Sequence, residues 1–128
     1  MVTGLGQSVT GIWLAGAGEG IGAPIPAHIA DQLRARRFSN FDQFRAAFWA
    51  AVGNDPELSG QFIKSNRERM RASKSPKTRT SDSANLRTSF EIHHINFIKD
   101  GGEVFNVDNL RVVTPKKHID IHSKKRGQ

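Results

Sequence analysis

Phe90-Glu91-Ile92-His93-His94, then Asn109, then Thr114-Pro115-Lys116-Lys117-His118-Ile119-Asp120-Ile121-His122 gather four of the five histidines of this 128-residue chain into its last third. Thr114 and Pro115 read as an N-cap and a first helical residue, which sets His118 and His122 four apart on the helix that follows. Side chains at that spacing share one face, with Cβ atoms about 5–6 Å apart, so two imidazoles could hold one ion. The run from Leu86 to His93 is rich in β-branched and aromatic residues and reads as a strand. Successive strand side chains point to opposite sides, so His93 and His94 take different roles. One of the pair could complete a three-histidine site that leaves coordination positions open. The other could serve as a general base, because an imidazole titrates near neutral pH. Lys99-Asp100-Gly101-Gly102 is a turn signal and Leu110-Arg111-Val112-Val113 a returning strand, which gives the order strand, turn, strand, helix.

Upstream of this motif the chain reads as helical. Ile29, Ala30 and Leu33 recur at helical spacing after Pro26, Asn40 is a candidate cap, and Phe41, Phe44, Phe48 and Val52 form one apolar stripe that belongs to a core. Asp55-Pro56 opens a further short helix, and Ser65-Asn66-Arg67-Glu68 fits a capping box for another. Gly16-Ala17-Gly18-Glu19-Gly20-Ile21-Gly22 puts Ile21 where a phosphate-binding glycine would stand, so it reads as a turn-rich lead-in. Residues 73-85 are polar, basic and without periodicity, as in a surface loop. His28, alone at the start of the first helix, reads as a surface residue.

The formal net charge is +7 and the sequence pI about 10.4, which favours a polyanionic partner. Lys64, Arg67, Arg69, Arg71, Lys74, Lys77, Arg79 and Arg87 are opposed only by Glu68 and Asp82, and Lys116, Lys117, Lys124, Lys125 and Arg126 lie beside the histidines. Both clusters could neutralise phosphates. The chain has no cysteine, which excludes disulfides, thiolate zinc fingers and a cysteine nucleophile together. No apolar run approaches the roughly 18–20 residues of a membrane span, and the N-terminus lacks the pattern of a signal peptide.

The motif resembles the HNH, or ββα-metal, endonucleases, with His94, Asn109 and His118 as the H, N and H. More narrowly, the quoted histidine segments, with Gly101-Gly102-Glu103-Val104-Phe105 and Asp108-Asn109-Leu110-Arg111-Val112, resemble the cytotoxic domain of DNase colicins and S-type pyocins. Gly22-Ala23-Pro24-Ile25-Pro26, Phe41-Asp42-Gln43-Phe44-Arg45 and Asp55-Pro56-Glu57-Leu58 are similar to the same family, so the likeness runs from about Ile12 onward. The fold expected is α+β: a mainly helical body over about 24-72, a basic loop over about 73-85 and a C-terminal ββα-metal motif over about 86-125. These form one nuclease domain over 12-128, preceded by a flexible linker remnant over 1-11.

The resemblance implies that His93, His118 and His122 hold one divalent metal ion, zinc binding tightest and magnesium or nickel being candidates for catalysis. It implies that His94 takes the proton of the attacking water. Asn109 is expected as a buried amide that orients His94 or ties the two strands together. Glu91, two residues before His93, is expected to orient a ligand imidazole or to pair with Arg87, itself a candidate bidentate contact to the scissile phosphate. The family also carries an arginine in its N-terminal tail that reaches the site, and Met1 to Thr10 supply no basic residue.

As partners the resemblance implies double-stranded DNA, cleaved with little sequence specificity, and a small acidic immunity protein forming a heterodimer with the domain. The immunity protein would dock on about Ile63 to Ser89, where Lys74, Lys77 and Arg79 mark the immunity- and DNA-facing segment. Family members often carry aromatic residues there, whereas this chain has Lys74 and Lys77 around Pro76. Transient contact with anionic membranes is a further expectation from the basic surface, and no small-molecule cofactor is expected. The domain would be released from the producing bacterium within a larger toxin and act in the cytoplasm of the target bacterium. Two other readings stand beside this one. A cytotoxic RNase would share the basic charge but lacks the double-histidine ββα pattern, and a non-catalytic zinc-stabilised nucleic-acid-binding module would need a further ligand to close its site.

Overall fold

Asn40, Asp55 and Thr114 each open a helix with a side-chain oxygen, and these three caps set out most of the helical frame. In this computed structural model, which describes residues 1–126 with the side chains of Lys125 and Arg126 left out, α1 runs over Ala27–Leu33 and α2 over Phe41–Gly53. Asn40 Oδ1 accepts from the Gln43 N–H at 2.9 Å, and Asp55 Oδ2 accepts from Leu58 N–H at 2.8 Å to start α3, Pro56–Ser59. Helix α4 spans Lys64–Arg71 and α5 spans Pro115–Arg126, the latter capped by Thr114 Oγ1 accepting from Lys117 N–H at 3.1 Å. Residues 127-128, and the basic side chains expected at Lys125 and Arg126, lie outside the described part.

The expected capping box at Ser65 does not start α4. The Ile63 carbonyl already accepts from the Asn66 and Arg67 N–H groups at 3.0 Å, so the helix begins at Lys64 and Ser65 lies inside it.

The stripe on α2 is core, as its spacing implies. Phe44, Phe48 and Val52 are fully buried with Trp49, while Phe41 stays half-buried. Ile25, Ile29, Leu33, Leu58 and Met70 close round them, and Ile92, Leu110 and Val112 join the sheet to the same cluster. Trp13 meets Phe48 edge-on at 6.1 Å and donates from Nε1 to the Pro24 carbonyl at 2.7 Å.

Three strands make the sheet: β1, Ala23–Pro24; β2, Glu91–His94; and β3, Leu110–Val113, in the order β1-β3-β2 and antiparallel throughout. The pairing sets His93 opposite Arg111 and His94 opposite Leu110. Strand β1 adds an unforeseen partner to the expected ββα order. It needs Gly22, whose φ is +103° and where a Cβ would stand 2.5 Å from Val113 Cγ1 and 2.8 Å from the Val112 carbonyl oxygen.

Strand β2 is shorter than the expected run from Leu86 to His93. Up to Phe90 the backbone pairs with the basic loop instead: Thr78 N–H donates to Thr88 O at 2.9 Å and Phe90 N–H to Pro76 O at 3.0 Å. Ala84 and Arg87 close a turn on each other, leaving Leu86 98% exposed.

Residues 1-11, expected as a flexible linker, are a strap across the fold. Val2 is buried and its N–H donates to Arg36 O at 2.9 Å. Thr3 pairs with Asn106, and the Leu5 and Gly6 N–H groups donate to the Asp108 carboxylate at 3.1 and 3.0 Å. The partners of Thr3, Leu5 and Gly6 are about a hundred residues away along the chain, so local sequence carries no trace of them. Among the described residues, no helix is long and apolar enough to cross a membrane.

Candidate metal centre

Strand β2 carries His93 into the interior, 2% exposed, and α5 lays His118 and His122 against it from one helical face. One ligand nitrogen of each of these three histidines lies within 4.8 Å of the others. Zinc–imidazole bonds are about 2.0–2.1 Å, so small ring movements would bring all three onto one ion. The donor set fits such an ion. His118 Nδ1 lies 2.9 Å from Glu91 Oε1, which leaves Nε2 to face the cluster, and a carboxylate behind a ligand imidazole is the usual support of a metal-bound histidine.

Glu91 is also gripped by Arg87, through Nε to Oε2 at 2.9 Å and through Nη2 to Oε1. Burial works to raise the Glu91 carboxyl, but the hydrogen bonds from Arg87 and His118 outweigh it and hold the group below the ordinary carboxylate range. Both partners expected for Glu91 are therefore present at once. Arg87 reaches it from outside the strand, since β2 begins only at Glu91.

His94, on the other side of β2, packs its ring against Phe41 at 4.8 Å and directs Nε2 to the Val104 carbonyl at 3.1 Å. A carbonyl only accepts, so Nε2 carries the proton and Nδ1 presents its lone pair. Burial lowers its pKa; the Val104 bond opposes this, while the charges of Arg45 and His118 add to the lowering. The neutral imidazole, the form that can take a proton, is favoured.

Asn109 is buried and ties the loop that joins β2 to β3. Its Oδ1 accepts from Asn96 N–H at 2.8 Å, and its Nδ2 donates to Asn96 O at 3.1 Å and Glu103 O at 2.9 Å. Both amide protons are thus used on backbone, and the link to His94 runs through Glu103 to the neighbouring Val104 carbonyl. The Gly102 Cβ that a larger residue would carry falls 1.9 Å from Asn96 O, so the loop closes only over glycine.

The four histidines, Phe97, Ile98 and Lys99 bound a pocket of about 380 Å³. Beside it, Arg45, Lys77 and Arg87 line a groove of about 450 Å³ that also reaches Glu91 and His118. Lys77 Nζ donates to Thr88 Oγ1 at 2.9 Å, which turns it along this groove. Arg79 instead pairs with Asp82 at 2.9 Å, and Lys74 is exposed just after α4, apart from the groove. Several members of the basic cluster serve the fold: Arg69 Nε donates to Ser75 O at 2.9 Å, Arg71 Nε to Gly53 O at 3.4 Å, and Arg67 Nη1 to Phe62 O. His28 is exposed, as expected, and pairs with Asp55 at 3.0 Å at the start of α3. Sequence reasoning missed Arg45 and Phe97. Arg45 lies on a helix read for its apolar stripe and for its family resemblance but not for its cation, and Phe97 sits in a segment with no periodicity.

The family model described as "Colicin/Pyocin-S2, DNase domain" matches residues 1–124. Colicin-E7 of Escherichia coli is 52% identical over 120 residues, which is 94% of this chain and 21% of that protein. Pyocin-S2 of Pseudomonas aeruginosa is likewise 52% identical over 120 residues, 17% of its length. The chain therefore spans about a fifth of such relatives. Among solved structures, the mutant nuclease domain of pyocin S8 with its cognate immunity protein superposes with a TM-score of 0.91 at 52% identity, covering 93% of this chain and 95% of that one. The pyocin AP41 DNase–immunity complex gives 0.92 at 44% identity, covering 96% of each.

Proposed function

The chain belongs to the colicin/pyocin DNase-domain family, and from that premise we propose that it is a metal-dependent, largely sequence-nonspecific DNA endonuclease serving as the cytotoxic domain of a larger bacteriocin. The observation that carries this reading is one pocket in which three imidazoles converge within 4.8 Å beside a fourth whose Nε2 is turned to the Val104 carbonyl.

His93, His118 and His122 would hold the divalent ion, and zinc, nickel or magnesium would each supply Lewis-acid charge for the phosphate when bound. His94 Nδ1 accepts a proton from the water whose oxygen attacks phosphorus, as the bond from phosphorus to the 3′ oxygen breaks. Glu91 orients His118 and keeps Arg87 at the edge of the pocket. Arg87 has N–H donors beyond the two on Glu91 with which to take a non-bridging phosphate oxygen. Asn109 fixes the loop whose Val104 carbonyl sets the His94 tautomer.

Arg45, Lys77 and Arg87 make the adjoining groove a path for the DNA backbone, with phosphate contacts dominating over base readout. The same surface, continued by Lys74 and Arg79, is where a small acidic immunity protein would dock, as its counterparts accompany the pyocin S8 and AP41 nuclease domains. Action in the cytoplasm of a target cell, after release within a larger toxin, follows from this reading. Contact with anionic lipid on the way rests on the net charge of +7 alone, and flotation with vesicles lacking and containing anionic lipid tests it.

Incubating the protein with supercoiled plasmid and, separately, with structured RNA tests the function. Nicking of the plasmid that stops with chelator, returns with added metal and leaves the RNA whole is expected. Cleavage of RNA alone would transfer the reading to a cytotoxic RNase.

A further inference from the structure

The side chain of Phe97 lies flat on His122, with ring centroids 4.6 Å apart and planes at 17°. It meets His93 edge-on at 5.8 Å and 86°. The three histidines touch each other only at steep angles, between 64° and 71°. Phe97 is therefore the one ring stacked face to face on a candidate ligand among the described residues, and it touches two of the three.

The ring is held on firm backbone. The Phe97 carbonyl accepts from Asp100 N–H at 2.9 Å and Gly102 N–H at 3.0 Å, and the preceding residue, Asn96, is clasped on both its N–H and its carbonyl by the Asn109 amide. His118 has Glu91 behind it to set its orientation. His122 is one turn further along α5, and there the Phe97 ring lies flat against its imidazole.

On the reading that His93, His118 and His122 are the ligands, we propose that Phe97 is a positioning residue of the metal centre, its ring holding His122 and His93 so that their nitrogens face one divalent ion. An apolar ring also keeps water from one side of His122 and shapes the surroundings that tune a bound metal. Its π face carries Lys99 as well, with Nζ 5.8 Å from the centroid, so one side chain joins two ligands to a cation at the rim of the pocket.

Zinc titration by calorimetry into the metal-free protein tests this, together with the absorption spectrum of the cobalt form and the melting temperature of each metal-free variant. Wild type and Phe97→Tyr should bind one ion alike. Phe97→Ala and Phe97→Leu should bind about ten-fold more weakly, as expected for loss of a group behind the ligands, with an altered cobalt spectrum and little change in metal-free melting. Lys99→Gln should keep wild-type affinity. The proposal is overturned if Phe97→Ala binds zinc as wild type does with the same cobalt spectrum, or if Phe97→Leu restores full affinity, since the ring would then be filler. If wild type itself takes up no stoichiometric metal, it is the ligand reading that fails.

Discussion

Glu91 Oε1 stands 2.9 Å from His118 Nδ1 while Arg87 Nε donates to the other carboxylate oxygen at 2.9 Å. One acid thus couples a candidate phosphate-binding arginine to a candidate metal ligand. Replacing it with the isosteric amide keeps the shape but removes the charge that faces both. Glu91→Gln should weaken zinc binding by about 10–100-fold, the usual consequence of losing a carboxylate behind a ligand histidine, and calorimetric titration measures it.

Asn109 makes three hydrogen bonds to the backbone of Asn96 and Glu103 from a position only 7% exposed. Truncation leaves the Asn96 N–H and the Asn96 and Glu103 carbonyls without these partners. Asn109→Ala should lose about 1–3 kcal/mol of stability in urea unfolding. It should also lower cleavage, because the Val104 carbonyl that holds His94 lies on the loosened loop.

Asp108 receives the N–H groups of Leu5 and Gly6, tying the N-terminal strap to the turn just before Asn109. For Asp108→Ala, amide exchange at Leu5, Gly6 and Val107 should quicken. The cost should be about 1.5–3 kcal/mol, the range for hydrogen bonds to a charged group.

With Arg45, Lys77 and Arg87 along the groove, DNA affinity should fall linearly with the logarithm of salt concentration. Lys77→Ala should flatten that slope by about one unit, measured by fluorescence anisotropy with the non-cleaving His94→Ala protein. A slope unchanged by the substitution would remove Lys77 from the DNA path.

The parts legible in the sequence were those set by local chemistry. The spacing of His118 and His122 needs only a helix, and Thr114, Asn40 and Asp55 announce their helices because a cap acts within three residues. Non-local partners left no such mark. The strand pairing of Ala23 and Pro24 is too short and too proline-bound to read, and the strap at Val2 to Gln7 depends on Asp108 and Pro26. Charge counting put Arg67, Arg69 and Arg71 with the DNA-facing cations, yet each guanidinium also latches a backbone carbonyl of the fold. Phe97 carried no periodic signal, and its contact with His122 exists only once the turn after His94 has folded back over α5.

His94→Ala tests the central claim most directly, because this imidazole bonds Val104 and packs on Phe41 and is not one of the three convergent histidines. Zinc titration and plasmid nicking on the same preparation should show one ion bound as in wild type and nicking reduced by about 10²–10⁴-fold, the range for a lost general base. Nicking at the wild-type rate with the metal still bound would contradict the assignment of His94 as the base and, with it, the division of labour among the four histidines.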